Sequence, residues 1–196
     1  MVLGLQWFED ENVMKGIFGA EKFAKDEVQI VDIGGAGGHV LLDFKKAYPN
    51  EEGRLILQEL PSVINTLDTK VLAEKGVEAM AHDMLTPQPI QGAKVYYLKM
   101  VLHDWPKAES VKALENLKPV LKAGYSRILL NEIVIPDVNA HWFATGVDMI
   151  MMVCHAAQER REWEWRKLIE SVSGLKMTKV WDVQGALEKI IEIELV

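Results

Sequence analysis

Short apolar runs alternate with helix-like segments over most of this chain, and that alternation restricts its fold more than any other feature. The runs "VQIVDI" (28–33), "RLILQ" (54–58), "VEAMA" (77–81), "KVYYLKM" (94–100) and "RILLNEIVI" (127–135) are rich in β-branched or aromatic residues and bounded by Gly, Pro or charge, which reads as strands. Between them lie "HVLLDFKKAY", "PSVINTLDTKVLAEKG" and "AESVKALENLKPVLKAG", each with helical spacing of its apolar residues. A strand, a helix and a further strand in sequence close right-handed βαβ units and give a parallel sheet covered on both faces. The expected fold class is therefore α/β and Rossmann-like, and 196 residues at 49% apolar content suffice for one core. In "REWEWRKLIESV", Trp165, Leu168, Ile169 and Val172 form an inward stripe, with Gly174 as its stop. The closing runs "LKMTKVWDV" and "LEKIIEIELV" are separated by a short link, the pattern of an antiparallel hairpin added to the sheet edge.

Composition removes several functions. Twenty-two basic against 29 acidic residues give a net charge of -7, and no basic stripe is present, so no nucleic-acid partner is expected. Cys154 is the only cysteine, which forbids an intrachain disulfide and makes a Cys-based metal site unexpected. One turn from Ile150, it reads as core. Neither a leader-like start nor an apolar run of membrane-spanning length is visible. A soluble, cytoplasmic protein without a membrane partner is the expectation.

The first strand–helix turn is "VDIGGAGGHV". Glycines let a backbone turn sharply and approach a ligand, although a plain tight turn uses them too. Glu59 ends the next strand about twenty residues on, the separation at which an acid accepts hydrogen bonds from ribose hydroxyls. The dinucleotide fingerprint G-x-G-x-x-G fails in both registers, since its glycines fall on Ala36 and His39 or on Val40, and no Gly-Lys-Ser/Thr follows to make a P-loop. Asp32, just before the glycines, suits a ligand with a positive ammonium; the same carboxylate also suits bonding to turn amides.

His103, in "LHDW", stands where the fourth strand gives way to a helix, with Asp104 and Trp105 beside it. A satisfied core histidine and a catalytic one both fit that position.

In their order and spacing, "VDIGGAGGHV", "LILQELPSVI", "HDMLTPQPIQGAKVYYLKMVLHDW", "LLNEIVIPD" and "GVDMIMMVCHAAQERREWEW" resemble the class I S-adenosylmethionine-dependent O-methyltransferases of the caffeate and fungal secondary-metabolite kind. The resemblance runs from about residue 28 to the end and implies a seven-stranded sheet, six strands parallel and one antiparallel. It also implies S-adenosylmethionine as cofactor. Gly34 and Gly38 would border its methionine part, Glu59 its ribose, Asp83 and Met84 its adenine, and Lys99 the methionine end. His103 would be the general base toward a small hydroxylated acceptor, with Glu132 and Glu159 flanking its ring. Met151 and His155 match positions that touch the acceptor. Asp148, Met152, His155 and Glu159 fall at i, i+4, i+7 and i+11, one helical face with Met151 beside it, while Glu159 also begins the helix after the "DMIMM" segment. The departures are Glu59 where the family usually has Asp, Ala36 where it often has Gly, and Arg161 where it usually has Thr. Asp137 and Asn139 stand alone, so a metal-assisted transfer is not expected.

The family's long helical region before the glycine turn, which builds its dimer and closes its acceptor pocket, has no counterpart in residues 1–27. The expected domains are thus a short N-terminal segment at 1–27 and a catalytic unit at 28–196, associating as a homodimer or with a partner subunit. Three readings stay open: metal-independent methylation of an aromatic or polyketide-like hydroxyl, a non-methylating dehydration or pericyclic step on the same fold, and a non-catalytic partner of a full-length homologue.

Overall fold

The computed structural model describes residues 6–19 and 22–196; of the segment before the first strand, residues 1–5, 20 and 21 lie outside the described residues. A 3-10 turn, Trp7–Glu9, leads into α1 (Glu11–Phe18). Next come β1 (Val28–Ile33), α2 (His39–Ala47), β2 (Arg54–Glu59), α3 (Pro61–Ile64), α4 (Thr69–Glu74), β3 (Val77–Ala81) and β4 (Val95–Lys99). They are followed by α5 (Lys107–Leu117), β5 (Arg127–Ile135), α6 (Trp142–His155), β6 (Arg160–Arg161), α7 (Glu162–Ile169), β7 (Leu175–Asp182) and β8 (Glu188–Leu195).

The strands run in the order β3-β2-β1-β4-β5-β8-β7. β1 to β5 pair in parallel, β8 is antiparallel to β5, and β7 is antiparallel to β8. Six long strands thus share one direction and one opposes them, as the resemblance implied. The hairpin joins the edge with its second strand innermost. A further two-residue strand, β6, pairs with the end of β5 at Val134 and Ile135.

Central strands are apolar throughout because both faces are covered. One face packs Val31, Ile56, Leu98, Ile128 and Ile191 against Leu114, Trp165 and Ile169 of α5 and α7. The other packs Ile30, Leu55, Tyr97 and Leu129 against Leu41 and Phe44 of α2 and against Trp7, Phe8, Val13 and Phe18. Trp7 stacks on Phe18 and Phe44, and Tyr48 Oη donates to the Phe8 carbonyl at 2.7 Å.

Four points differ from the sequence reading. The segment "PSVINTLDTKVLAEKG" divides into α3 and α4 because Asp68 caps the second helix, its Oδ1 accepting from Val71 N at 3.1 Å. The stripe of α7 is buried as expected, with Trp165 and Ile169 at 0% exposure, but the helix ends at Ile169 and Val172 sits in the turn beyond it. Finally α6 stops at His155, where Ala156 adopts a left-handed conformation (φ 51°). Glu159 therefore lies beyond the helix, and Met152 is exposed rather than aligned with it. Cys154 is likewise exposed, not core, because the outward side of α6 is itself apolar.

Candidate active site

The carboxyl ends of β1, β2, β4 and β5 converge on one edge, where open parallel sheets place ligands. Here a cavity of about 400 Å³ is bordered by Gly34, Glu59, Asp83, Met84, Val101 and Asp104. Gly34 and Gly38 both have left-handed φ values, 74° and 75°. A Cβ on Gly34 would come within 2.9 Å of Val101, and one on Gly35 within 2.3 Å of Asp32 Oδ2. Side chains are excluded there by sterics as well as by backbone conformation. Ala36 also has positive φ, 49°.

Glu59 closes the turn: its Oε1 accepts from Ala36 N at 3.1 Å and its Oε2 from Leu60 N at 2.9 Å. Each oxygen keeps a lone pair free. Asp32 is fully buried and neither of its oxygens has a hydrogen-bond partner among the described residues, so it does not bond the turn amides. Burial pushes it from the ordinary 3.8 to about 7, against the pull of Lys99 and with the repulsion of Glu59. Lys99 Nζ reaches Gln6 Oε1 at 3.4 Å. Asp83 Oδ1 accepts from Leu85 N at 2.9 Å, and the Met84 carbonyl accepts from Asn116 Nδ2 at 3.1 Å.

His103 sits in the 3-10 turn Leu102–Asp104, entered through Met100, whose φ of 51° is strained for a non-glycine residue. Two charged groups hold this turn. Glu132, buried at 0%, accepts through Oε1 from Val101 N at 3.2 Å and Leu102 N at 2.9 Å. Arg160, stacked over Trp165 at 4.9 Å, donates from Nη1 to the Leu102 carbonyl and from Nη2 to the Trp105 carbonyl, both at 2.9 Å. Neither bonds the ring. That is done by Glu159, whose Oε1 lies 2.6 Å from His103 Nδ1. Glu159 is itself held by Asp148, whose Oδ1 accepts from its backbone N–H at 2.8 Å.

On the other side of the ring, Asp104 Oδ1 is 3.5 Å from His103 Nε2 and 3.9 Å from His155 Nε2. Met151 is buried on α6, whereas His155 is exposed. Burial of His103 works against its cation, but the bond to Glu159 and the negative neighbours Glu132, Glu159 and Asp104 outweigh it, and its pKa is raised. Burial drives Glu132 up to about 8, opposed by His103 and reinforced by Glu159. The set is suited to accept a proton at Nε2 while Nδ1 stays fixed on a carboxylate.

Of the residues singled out in the sequence, Gly34, Glu59, Asp83 and Met84 border the cavity, and His103 and His155 approach it through Asp104, whereas Gly38, Lys99 and Met151 are not part of its lining. Arg160 is the residue that the sequence reading missed: "QERREWEW" presents it as one of several alternating charges, yet it is 4% exposed.

The profile of the O-methyltransferase domain matches residues 12–174. Methyltransferase cfoC of Aspergillus candidus is 42% identical over 168 residues, covering 86% of this chain and 41% of that protein. A solved structure of LepI in complex with SAM superposes with a TM-score of 0.85 at 32% identity, covering 93% of this chain and 46% of that one. A structure described as a pericyclic reaction enzyme superposes with a TM-score of 0.83 at 33% identity, covering 93% and 47%. The chain thus spans about two fifths of the length of the first of these relatives, 41%.

Proposed function

The chain belongs to the family of O-methyltransferase domains, and on that premise we propose that it transfers a methyl group from S-adenosylmethionine to a hydroxyl of a small aromatic or polyketide-like acceptor, without a metal. The observation that carries this reading is the 2.6 Å contact between His103 Nδ1 and Glu159 Oε1 beside the Glu59 cavity. Asp104, which borders that cavity, lies 3.5 Å from His103 Nε2, and this supports the reading of His103 as a base acting there.

The residues present fit that cofactor. Asp32 offers a buried carboxylate with two unpartnered oxygens to an ammonium, and the glycines leave the turn bare of side chains. Glu59 would accept from the ribose hydroxyls through its remaining lone pairs, Gly34 and Gly38 would border the methionine part with Lys99 beside it, and Asp83 and Met84 would flank the adenine. When bound, S-adenosylmethionine supplies an electrophilic methyl group on a sulfonium. The protein's task is then to orient the acceptor and remove its proton. His103 Nε2 takes that proton, and Glu159 fixes the tautomer and strengthens the base. Glu132 and Arg160 hold the turn that aims the ring. Met151 and His155 contact the acceptor from α6.

The test is incubation with methyl-labelled S-adenosylmethionine and a panel of phenols, following label and S-adenosylhomocysteine together. Label in the acceptor with matching S-adenosylhomocysteine is the expected result; neither product appearing overturns the reading.

A second reading is a pericyclic or dehydration step on the same scaffold, favoured by the TM-score of 0.83 to the pericyclic reaction enzyme. It predicts acceptor turnover without release of S-adenosylhomocysteine. The catalytic unit we assign to residues 28–196, in association with a second copy or a partner subunit.

A further inference from the structure

Gln58 and Gln88 form a reciprocal amide pair that neither the methyl-transfer chemistry nor the core requires. Gln58 Nε2 donates to Gln88 Oε1 at 2.8 Å and Gln88 Nε2 donates back to Gln58 Oε1 at 2.8 Å. Both residues are buried, at 0% and 5% exposure. Gln88 lies between Pro87 and Pro89. Those rings fix the local φ angles and force an extended conformation on the residue before the second. The amide is therefore presented by a stiff piece of chain.

Gln58 stands where three walls of the Glu59 cavity are joined. Its carbonyl accepts from Gly34 N at 2.8 Å, tying β2 to the glycine turn. The next carbonyl, that of Glu59, accepts from His82 N at 2.8 Å and ties β2 to the loop that carries Asp83 and Met84. The amide pair fastens the far end of that loop to the same strand, and Gln88 Oε1 also accepts from Ile90 N at 3.1 Å. Main-chain bonds thus fix one end of the segment from His82 to Gln88, and a side-chain pair fixes the other. Gln88 itself does not border the cavity.

We infer that Gln88 is a positioning residue for the cofactor: by clasping Gln58 it fixes the register of Asp83 and Met84 against Glu59, and so sets cofactor affinity without touching the cofactor. The inference rests on the methyltransferase reading. A pair that supports only the loop alters binding of the adenosyl group and leaves proton removal at His103 unchanged.

The experiment compares wild type with Gln88→Leu, which keeps the bulk and removes all three of the side chain's bonds, two to Gln58 and one from Ile90 N. Calorimetric affinity for S-adenosylhomocysteine is expected to fall about tenfold, the effect of losing roughly one kcal/mol or slightly more of ordering. KM for S-adenosylmethionine rises in parallel while kcat at saturation stays the same. In the cofactor-free protein, amide exchange accelerates in residues 82–90 and not in β4 or β5. Gln88→Glu, which keeps an acceptor for Ile90 N and Gln58 Nε2, recovers part of the affinity. If Gln88→Leu does not fold, the double variant Gln58→Leu/Gln88→Leu leaves no side-chain amide unpaired, only Ile90 N losing its acceptor, and carries the same expectations. Unchanged affinity overturns the inference, as does exchange that rises evenly through β4 and β5. Failure of the wild-type protein to bind S-adenosylhomocysteine overturns the functional reading and the affinity consequence with it. The exchange pattern then still decides whether Gln88 holds the loop.

Discussion

His103 Nδ1 and Glu159 Oε1 stand 2.6 Å apart although 56 residues separate them in the chain. The fold brings them together by ending β4 and β5 side by side and returning the chain after α6 along the tip of β5, where β6 pairs with Val134 and Ile135. One nitrogen of the ring is thereby committed, and the other, Nε2, faces Asp104 Oδ1 at 3.5 Å. His103→Ala is expected to lower methyl transfer by roughly 10²- to 10⁴-fold, with S-adenosylhomocysteine affinity nearly unchanged. The wild-type rate should rise with pH through a value above the ordinary 6.5, since His103 is raised. Glu159→Gln should cost less activity and move that limb downward, because the bond to Glu159 contributes to the rise. Stopped-flow or discontinuous assays from pH 5.5 to 9 check both. A folded His103→Ala protein with the wild-type rate excludes the base.

Asp32 predicts an unusual dependence of stability on pH. Its folded pKa is raised from 3.8 to about 7, so the folded state binds the proton more tightly than the unfolded chain does. That extra stability is fully present below about pH 4 and lost as pH rises through about 7. Glu132, raised to about 8, adds a contribution of the same sign. Asp32→Asn should therefore flatten the decline, retaining on the order of a few kcal/mol at pH 8 that the wild type loses. Thermal unfolding at pH 5, 6.5 and 8 measures this. A wild-type melting temperature that rises over this range and stays above that of Asp32→Asn contradicts the assignment.

Glu59→Ala should weaken S-adenosylhomocysteine binding by about tenfold or more, because two ribose hydroxyls lose a charged acceptor. Ala36 N loses its partner as well. The turn is exposed at that point, so water replaces the carboxylate and the melting temperature should change little. A large loss of stability with unchanged affinity would make Glu59 a structural clasp.

The α/β alternation was legible because central parallel strands must be apolar on both faces, and "RILLNEIVI" or "VQIVDI" announce that without help from their neighbours. That Glu59 stands at the cavity beside the glycine turn was legible too, since only a fixed count from the glycines was needed. The junction of α3 and α4 was not, because Asp68 caps from within a continuous helical pattern. Nor was the end of α6: a helical wheel extends past His155, and nothing in "HAAQER" says that Ala156 turns left-handed. Arg160 hides among exposed charges, its partners being carbonyls that carry no side-chain signature. The Gln58–Gln88 pair links two ordinary polar residues 30 positions apart, which periodicity cannot see.

Arg160→Met keeps the stack on Trp165 but leaves the carbonyls of Leu102 and Trp105 without their donor. Those two bonds anchor the turn that carries His103, so kcat should fall by roughly 10², the cost of a displaced catalytic group. Arg160→Lys should recover little, because an ammonium on a flexible stem cannot span two carbonyls as the planar fork does. Steady-state kinetics with melting temperatures alongside separate displacement from unfolding. Full activity in Arg160→Lys would show that charge alone matters at this position.

The outward side of α6 exposes Trp142 at 76%, Met149 at 64%, Met152 at 62% and Val153 at 77%. One helix rarely presents so much apolar area to water unless something covers it. The 196-residue chain is therefore expected to associate, with a scattering mass above its 22.1 kDa that grows with concentration and shrinks when salt is lowered, as burial of apolar surface requires. Met149→Glu together with Val153→Glu would place two like charges one turn apart on that side. This variant should return the mass to that of one chain, and because neither residue faces His103 it should keep the fold. Association that persists in the double variant, or a wild-type chain that stays single at every concentration, would remove α6 as the contact.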